Sequence, residues 1–167
     1  MLIVFAGLPA TGKSTLARAV AEARGAVYLR IDTIEQALRE SGRLKDDPED
    51  AGYRVAYALA EANLGPGRPV VADSVNPIRI TRDAWHDVGR RAGVPVIDVE
   101  LICSDAAEHR RRVEMRQVDV EGLKLPTWEE VVARDYEPWN RDRIVIDTAG
   151  RTIAACLEEL QGRIGVR

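Results

Sequence analysis

Gly7-Leu8-Pro9-Ala10-Thr11-Gly12-Lys13-Ser14 constrains this chain more than any other stretch, because it fits G-x-x-x-x-G-K-[ST], the phosphate-binding P-loop. Its flanks agree with it. Leu2-Ile3-Val4-Phe5-Ala6 is a short apolar run that reads as a buried strand. From Ser14 to Arg24, Leu16, Ala19, Val20 and Ala23 recur at helical spacing. Strand, glycine loop and helix in that order let the backbone curl until its N–H groups converge on a phosphate. The helix N-terminus adds partial positive charge at the same point. Gly7, Leu8, Pro9, Ala10, Thr11, Gly12, Lys13, Ser14 and Thr15 are therefore the expected nucleotide contacts. Lys13, on an exposed loop, is expected to reach the β- and γ-phosphates, and the Ser14 hydroxyl to ligate Mg²⁺.

The rest of the chain alternates strands with helices. Strands are expected over 26–31, over 68–72 with Asp73 at the end, over 96–102 and over 143–147. Helices are expected over 33–40, capped by Asp32 and Glu35, and over 50–64 with Val55, Ala58, Leu59 and Ala62 on one buried face. Others are expected over 79–92, over 105–117, from the Thr127/Glu130 capping box to about 136, and over 150–164 with Ile153, Leu157, Leu160 and Ile164 in register. The polar stretch 41–50 and the stretch 118–126 read as loops. This alternation predicts an α/β fold, a parallel sheet covered on both faces. Ligands of such sheets bind at the carboxyl ends of the strands, here Gly7, Asp32, Asp73, Ser104 and Thr148.

Phosphoryl transfer needs a phosphate cradle, a metal, cations over the transferring group and an acceptor for the substrate's proton. Asp32 is placed for the last of these roles, and Asp73 for the carboxylate that meets Mg²⁺. Arg112 and Arg116, four apart in the charged run 105–117, form one face of the expected helix and could clamp ATP phosphates. The plainer reading of that run pairs Arg112 with Glu108 on a solvated face. Glu35, Asn76 and Arg79 complete the expected acceptor side.

Composition narrows the partners. The net charge of −3 in 167 residues disfavours a nucleic-acid partner, which calls for a basic balance or stripe. No apolar run is long enough to cross a membrane, and Met1 leads straight into the first strand, so a cytoplasmic protein without a leader is expected. Cys103 and Cys156 read as buried free thiols, and His86 and His109 as surface or packing residues rather than ligands.

With these residues in view, nearly the whole chain resembles a small P-loop kinase of the nucleoside-monophosphate-kinase-like fold. It is similar to the 5′-kinase domain of polynucleotide kinases, to chloramphenicol phosphotransferase and to short bacterial AAA-type kinases. The resemblance implies one kinase domain over 1–167, a five-stranded sheet in the order 2-3-1-4-5 and a helical lid at about 105–126. It implies Asp32 as general base, Asp73 at the metal, Arg112 and Arg116 on the lid, with Arg116 catalytic alongside Lys13, and Thr148 beside the adenine. The chain departs from polynucleotide kinases at Glu35, where they carry an arginine for a substrate phosphate, and in Asp73-Ser74-Val75-Asn76, one residue longer than their Asp-x-Asn. The expectation is an ATP- and Mg²⁺-dependent kinase acting on a small-molecule hydroxyl. The alternatives are a polynucleotide 5′-hydroxyl kinase, and an ATP-binding switch or ATPase module working through a protein partner. Neither the acceptor nor the oligomeric state is written in a motif.

Overall fold

The computed structural model describes residues 1–42 and 50–165. Its order is β1 (Leu2–Ala6), α1 (Lys13–Arg24), β2 (Val27–Arg30), α2 (Ile31–Glu40), α3 (Ala51–Leu64), β3 (Val70–Asp73), α4 (Arg79–Ala92), β4 (Val96–Ile102), α5 (Ala106–Glu114), α6 (Trp128–Val132), β5 (Ile144–Asp147) and α7 (Ile153–Gly165). The expected loop over 41–50 lies outside the described residues from 43 to 49.

The strands form one parallel sheet in the order β2-β3-β1-β4-β5, as expected. β1 is central because all five of its residues are buried on both faces, so no polar side chain interrupts it. Its register pairs Phe5 with Asp73 on one side and Ala6 with Glu100 on the other. The phosphate loop therefore leaves the middle of the sheet, between the ends of β3 and β4.

Two apolar layers sandwich the sheet. On one face, Leu16, Ala17 and Val20 of α1 and Cys156, Leu160 and Ile164 of α7 pack on Ile3, Phe5, Val99 and Leu101. On the other, Ala56, Ala60 and Leu64 of α3 and Trp85 and Val88 of α4 pack on Leu2, Val4, Val70 and Ala72.

Here α3 corrects the sequence reading. Val55, Ala58, Leu59 and Ala62, expected inside, all face outward, and the buried stripe is Gly52, Ala56, Ala60 and Leu64. The reason is space. Small residues let α3 lie close to the sheet and to α2; a Cβ at Gly52 would overlap the Glu35 side chain. In α7, similarly, Cys156 replaces Ile153 on the buried face, and Ile153 is exposed. Of the two thiols, both free, Cys156 is buried but Cys103 is only half-buried.

Candidate active site

The phosphate loop is held from behind. Gly7 has φ 139°, and a Cβ there would overlap the Leu101 carbonyl oxygen, so this position requires glycine. Its N–H donates to the Val75 carbonyl at 3.1 Å, tying the loop to the turn after β3. Ala10 (φ 64°) and Gly12 (φ 88°) take left-handed conformations that fold the loop over, and the Thr11 hydroxyl donates to the Leu8 carbonyl at 2.9 Å. α1 starts at Lys13, one residue earlier than the apolar spacing indicates, and no side chain caps it. Its first turn thus offers backbone N–H groups and partial positive charge to an anion.

Lys13 is buried rather than exposed on the loop as the sequence suggested. Its Nζ lies 3.0 Å from Asp73 Oδ1, deep under the loop. Asp73 is 1% exposed. It accepts a 2.6 Å hydrogen bond from the Tyr28 hydroxyl, and Arg30 Nε lies 3.9 Å away. Burial pushes the Asp73 carboxyl up, but the Lys13 charge and hydrogen bonds from Tyr28 and Ser14 outweigh it and hold the carboxyl below the usual range. Burial, reinforced by Asp73, raises the Tyr28 hydroxyl well above its ordinary value. Ser14 and Asp73 together present hydroxyl and carboxylate oxygens, the donor type that Mg²⁺ takes.

Asp32 does not cap α2. The strand runs directly into the helix, Arg30 is the N-cap residue, and Asp32 falls in the first turn with no capping bond. There it faces Arg30 Nη2 at 3.3 Å. Arg30 reaches across to Asp119 as well, with Nη1 at 2.6 Å and Nη2 at 3.1 Å from its two oxygens.

A cleft of about 900 Å³ joins Lys13, Ser14, Asp32 and Asp119, while Tyr28, Arg30 and Asp73 lie beneath its lining. Pro9, Ala10, Gly12, Lys13, Ser14 and Thr15 of the loop and first turn of α1 line it, together with Asp32, Glu35, Gln36 and Arg39 of α2, and Arg112, Met115, Arg116 and residues 119 and 122–126. Thr148, Arg151, Ile153 and Cys156 close the far end. Gly7, Leu8 and Thr11 do not line it.

Two expected acceptor residues are not brought to the cleft. Arg79 opens α4 on the surface, where its N–H donates to Glu137 at 2.6 Å and its guanidinium meets Asp83 at 3.5 Å. Asn76 is wholly buried at φ 48°, its N–H donating to the Tyr53 hydroxyl at 3.1 Å, and Val75 lines the cleft instead.

The arginine pair is also rearranged. α5 ends at Glu114, so Arg116 lies beyond its C-cap, Met115, and the two arginines do not share a helix face. Only His109 and Val113 of α5 are buried, too little apolar surface to extend it. Arg112 donates to Thr148 Oγ1 at 2.8 Å and to the Thr148 carbonyl at 2.9 Å, and pairs with Glu108 at 2.6 Å. Thr148 Oγ1 in turn lies 3.0 and 3.1 Å from the Thr11 and Ile102 carbonyls, which share its one hydrogen, so one hydroxyl joins α5 to the phosphate loop. Arg116 lines the cleft and faces Asp119 at 3.5 Å, whereas Arg111 is exposed.

Three residues here escaped the sequence reading. Arg30 and Asp119 are the first two; a lone arginine closing an apolar strand was the available signal for Arg30. The third is His109, which is buried, stacks edge-on against Trp128 at 5.3 Å and donates from Nε2 to the Pro9 carbonyl at 2.8 Å. It packs, as expected, but on the phosphate loop itself. His86 meets Asp98 at 2.7 Å, away from the cleft. Among the described residues, no His/Cys/Asp/Glu group of three could hold a metal, and no helix is long and apolar enough to cross a membrane.

Residues 2–135 match the model of a family described as AAA domain. An uncharacterized protein of Mycobacterium tuberculosis, Rv2004c, is 37% identical over 103 residues, covering 54% of this chain and 19% of that protein. The chain thus spans about a fifth of the length of the curated relatives it matches. Among solved structures, Chaetomium thermophilum Kti12 in complex with ADP-AlF3 superposes with a TM-score of 0.74 at 24% identity, over 98% of this chain and 97% of that one. An unliganded sugar kinase from Janibacter sp. superposes with a TM-score of 0.72 at 17% identity, over 98% and 94%. At these identities the likeness is one of fold.

Proposed function

The chain belongs to the AAA domain family, a P-loop nucleotide-binding fold, and from that premise we propose that it is an ATP-dependent kinase transferring the γ-phosphate to a hydroxyl of a small molecule. The observation that carries this is the continuity of one cleft from the phosphate loop to the Asp32 carboxylate, with Arg112 and Arg116 on its edge. The phosphate end has the first turn of α1 and Lys13; the other end has a half-exposed carboxylate able to take a proton.

In this reading ATP lies with its β- and γ-phosphates over Gly12–Thr15, and its adenine toward Thr148 and Ile153. Lys13 leaves Asp73 for the phosphates. Ser14 and Asp73 would hold Mg²⁺, which would offset phosphate charge when bound. The acceptor hydroxyl gives its proton to an Asp32 oxygen as its own oxygen bonds to the γ-phosphorus. The bond from that phosphorus to the β–γ bridging oxygen breaks, and the electron pair departs with ADP. Arg116 lies over the transferring group and offsets its charge, while Arg112 is tied to the loop and positions the nucleotide. The segment 105–126 is the lid of this single domain, and the setting is the cytoplasm, which supplies ATP and Mg²⁺.

Glu35 and the net charge of −3 favour a small acceptor over a nucleic acid, whose phosphates Glu35 would repel. Arg79, turned away from the cleft, is not part of the acceptor site, and neither is the buried Asn76. The test is ADP release screened across small hydroxyl compounds and 5′-hydroxyl oligonucleotides. Stimulation by a small hydroxyl compound is the expected result. Stimulation by oligonucleotides alone would replace this reading with a polynucleotide kinase, and no stimulation, with a nucleotide-dependent change of shape, would replace it with a switch.

A further inference from the structure

Arg30 places a charge where few chains tolerate one. Its side chain is 3% exposed, and three carboxylates from three different parts of the chain converge on it. Asp32 comes from the first turn of α2, Asp73 from the end of β3, and Asp119 from the segment after α5. Asp119 takes the fork in two parallel bonds, the geometry an arginine offers and a lysine does not. The same Asp119 Oδ1 that accepts from Arg30 also faces Arg116 at 3.5 Å. Three residues on, Gly122 sits at φ 75° so close to the Gln36 amide that a Cβ would overlap it. The segment is thus seated at two points, Gln36 of α2 and Arg30 at the end of β2, and the ionic one is Arg30.

Resting on the kinase reading above, we propose that Arg30 is a positioning residue that works in two directions at once. It orients Asp32 toward the acceptor, and through Asp119 it seats the 116–126 segment and Arg116 over the cleft. Lifting that segment would leave the buried guanidinium with Asp32 at 3.3 Å and Asp73 at 3.9 Å alone, so an ordered Asp32 and a seated Arg116 come as one arrangement. The segment is otherwise thinly anchored, since Gln117, Val118, Asp119, Glu121, Gly122 and Lys124 are all exposed.

The test compares Arg30→Lys, Asp119→Asn and the double variant with the unaltered chain by two readouts. One is hydrogen exchange of 116–126 with and without Mg²⁺ and AMPPNP; the other is basal ATP hydrolysis, which needs no acceptor. Each single change should raise exchange in 116–126 about tenfold without altering the sheet. Each should also lower kcat for hydrolysis about tenfold with KM for ATP within about twofold, and the double variant should be no worse than either, because both remove one interaction. Unchanged exchange in both single variants, a loss confined to KM, or losses that multiply would overturn the proposal. Asp119→Asn, on an exposed residue, keeps the test intact even where Arg30→Lys fails to fold. A wild-type protein that no hydroxyl compound stimulates would refute the kinase reading instead, and leaves the exchange comparison standing.

Discussion

Lys13→Ala should do more than abolish nucleotide binding: it should destabilise the fold. The lysine is the cation nearest a carboxylate that is 1% exposed, at 3.0 Å. Without it, Asp73 keeps the Tyr28 hydroxyl at 2.6 Å and Arg30 Nε at 3.9 Å. Removing one partner of a buried pair costs about 3–5 kcal/mol, and these two remaining groups put the loss near the lower figure, ~3 kcal/mol. At about 2–4 °C per kcal/mol for a chain of this size, Tm should fall by roughly 6–12 °C. The pH dependence has a definite sign. In the wild type the folded carboxyl lies below its unfolded value, so its contribution is present above the ordinary carboxylate range and is lost as pH falls through the lower folded value. In the variant burial goes unopposed by Lys13, the folded pKa rises, and the deficit should be largest at neutral pH and shrink as the carboxyl protonates in acid. The double variant Lys13→Ala/Asp73→Asn removes the stranded charge, so its Tm should return most of the way while ATP binding stays lost. Thermal unfolding followed by circular dichroism, with ATP calorimetry, reads both. A single variant that melts with the wild type, or a double variant no more stable than the single, would refute the reasoning.

Asp32→Asn should cut turnover about 10²–10⁴-fold with ATP affinity little changed, read by kcat and by calorimetry, because it removes the proton acceptor and keeps the shape; a collapse of ATP affinity would move Asp32 to the metal site. Arg116→Ala should lower kcat by about 10²-fold or more, as loss of an arginine finger supplied in cis does, while the exposed Arg111→Ala should change it little; equal losses in one assay would reduce the pair to a diffuse basic patch. Asp147 is held below the usual carboxylate range first by the Ser104 hydroxyl and then by backbone N–H groups, burial acting against them. Its contribution is therefore present above its unfolded pKa and lost as pH falls through its lower folded value, so denaturant titrations should show Asp147→Asn costing stability at pH 7 and progressively less as pH falls below the ordinary carboxylate range.

Much of this protein is written in neighbouring residues. The phosphate loop, the capping box at Thr127 and Glu130 and the parallel sheet were legible because each depends on backbone demands met within a few positions or on simple alternation, while the strand order came from the family resemblance. Gly7 and Gly12 announce their turns by being glycine. What sequence spacing misjudged was decided by partners far along the chain. The outward face of α3 looked like the core because its residues are larger, yet close approach to α2 rewards Gly52, and close approach to the sheet rewards Ala56 and Ala60. Asp32 looked like a cap, but Arg30 two residues back claims it. Arg112 and Arg116 looked like one helix face, but α5 stops where its buried surface runs out. Arg30 and Asp119 stand 89 positions apart, and nothing local to either announces the pair. A charge buried in a sheet edge needs an opposite charge from wherever the fold delivers one, and only the packed tertiary structure settles which segment that is.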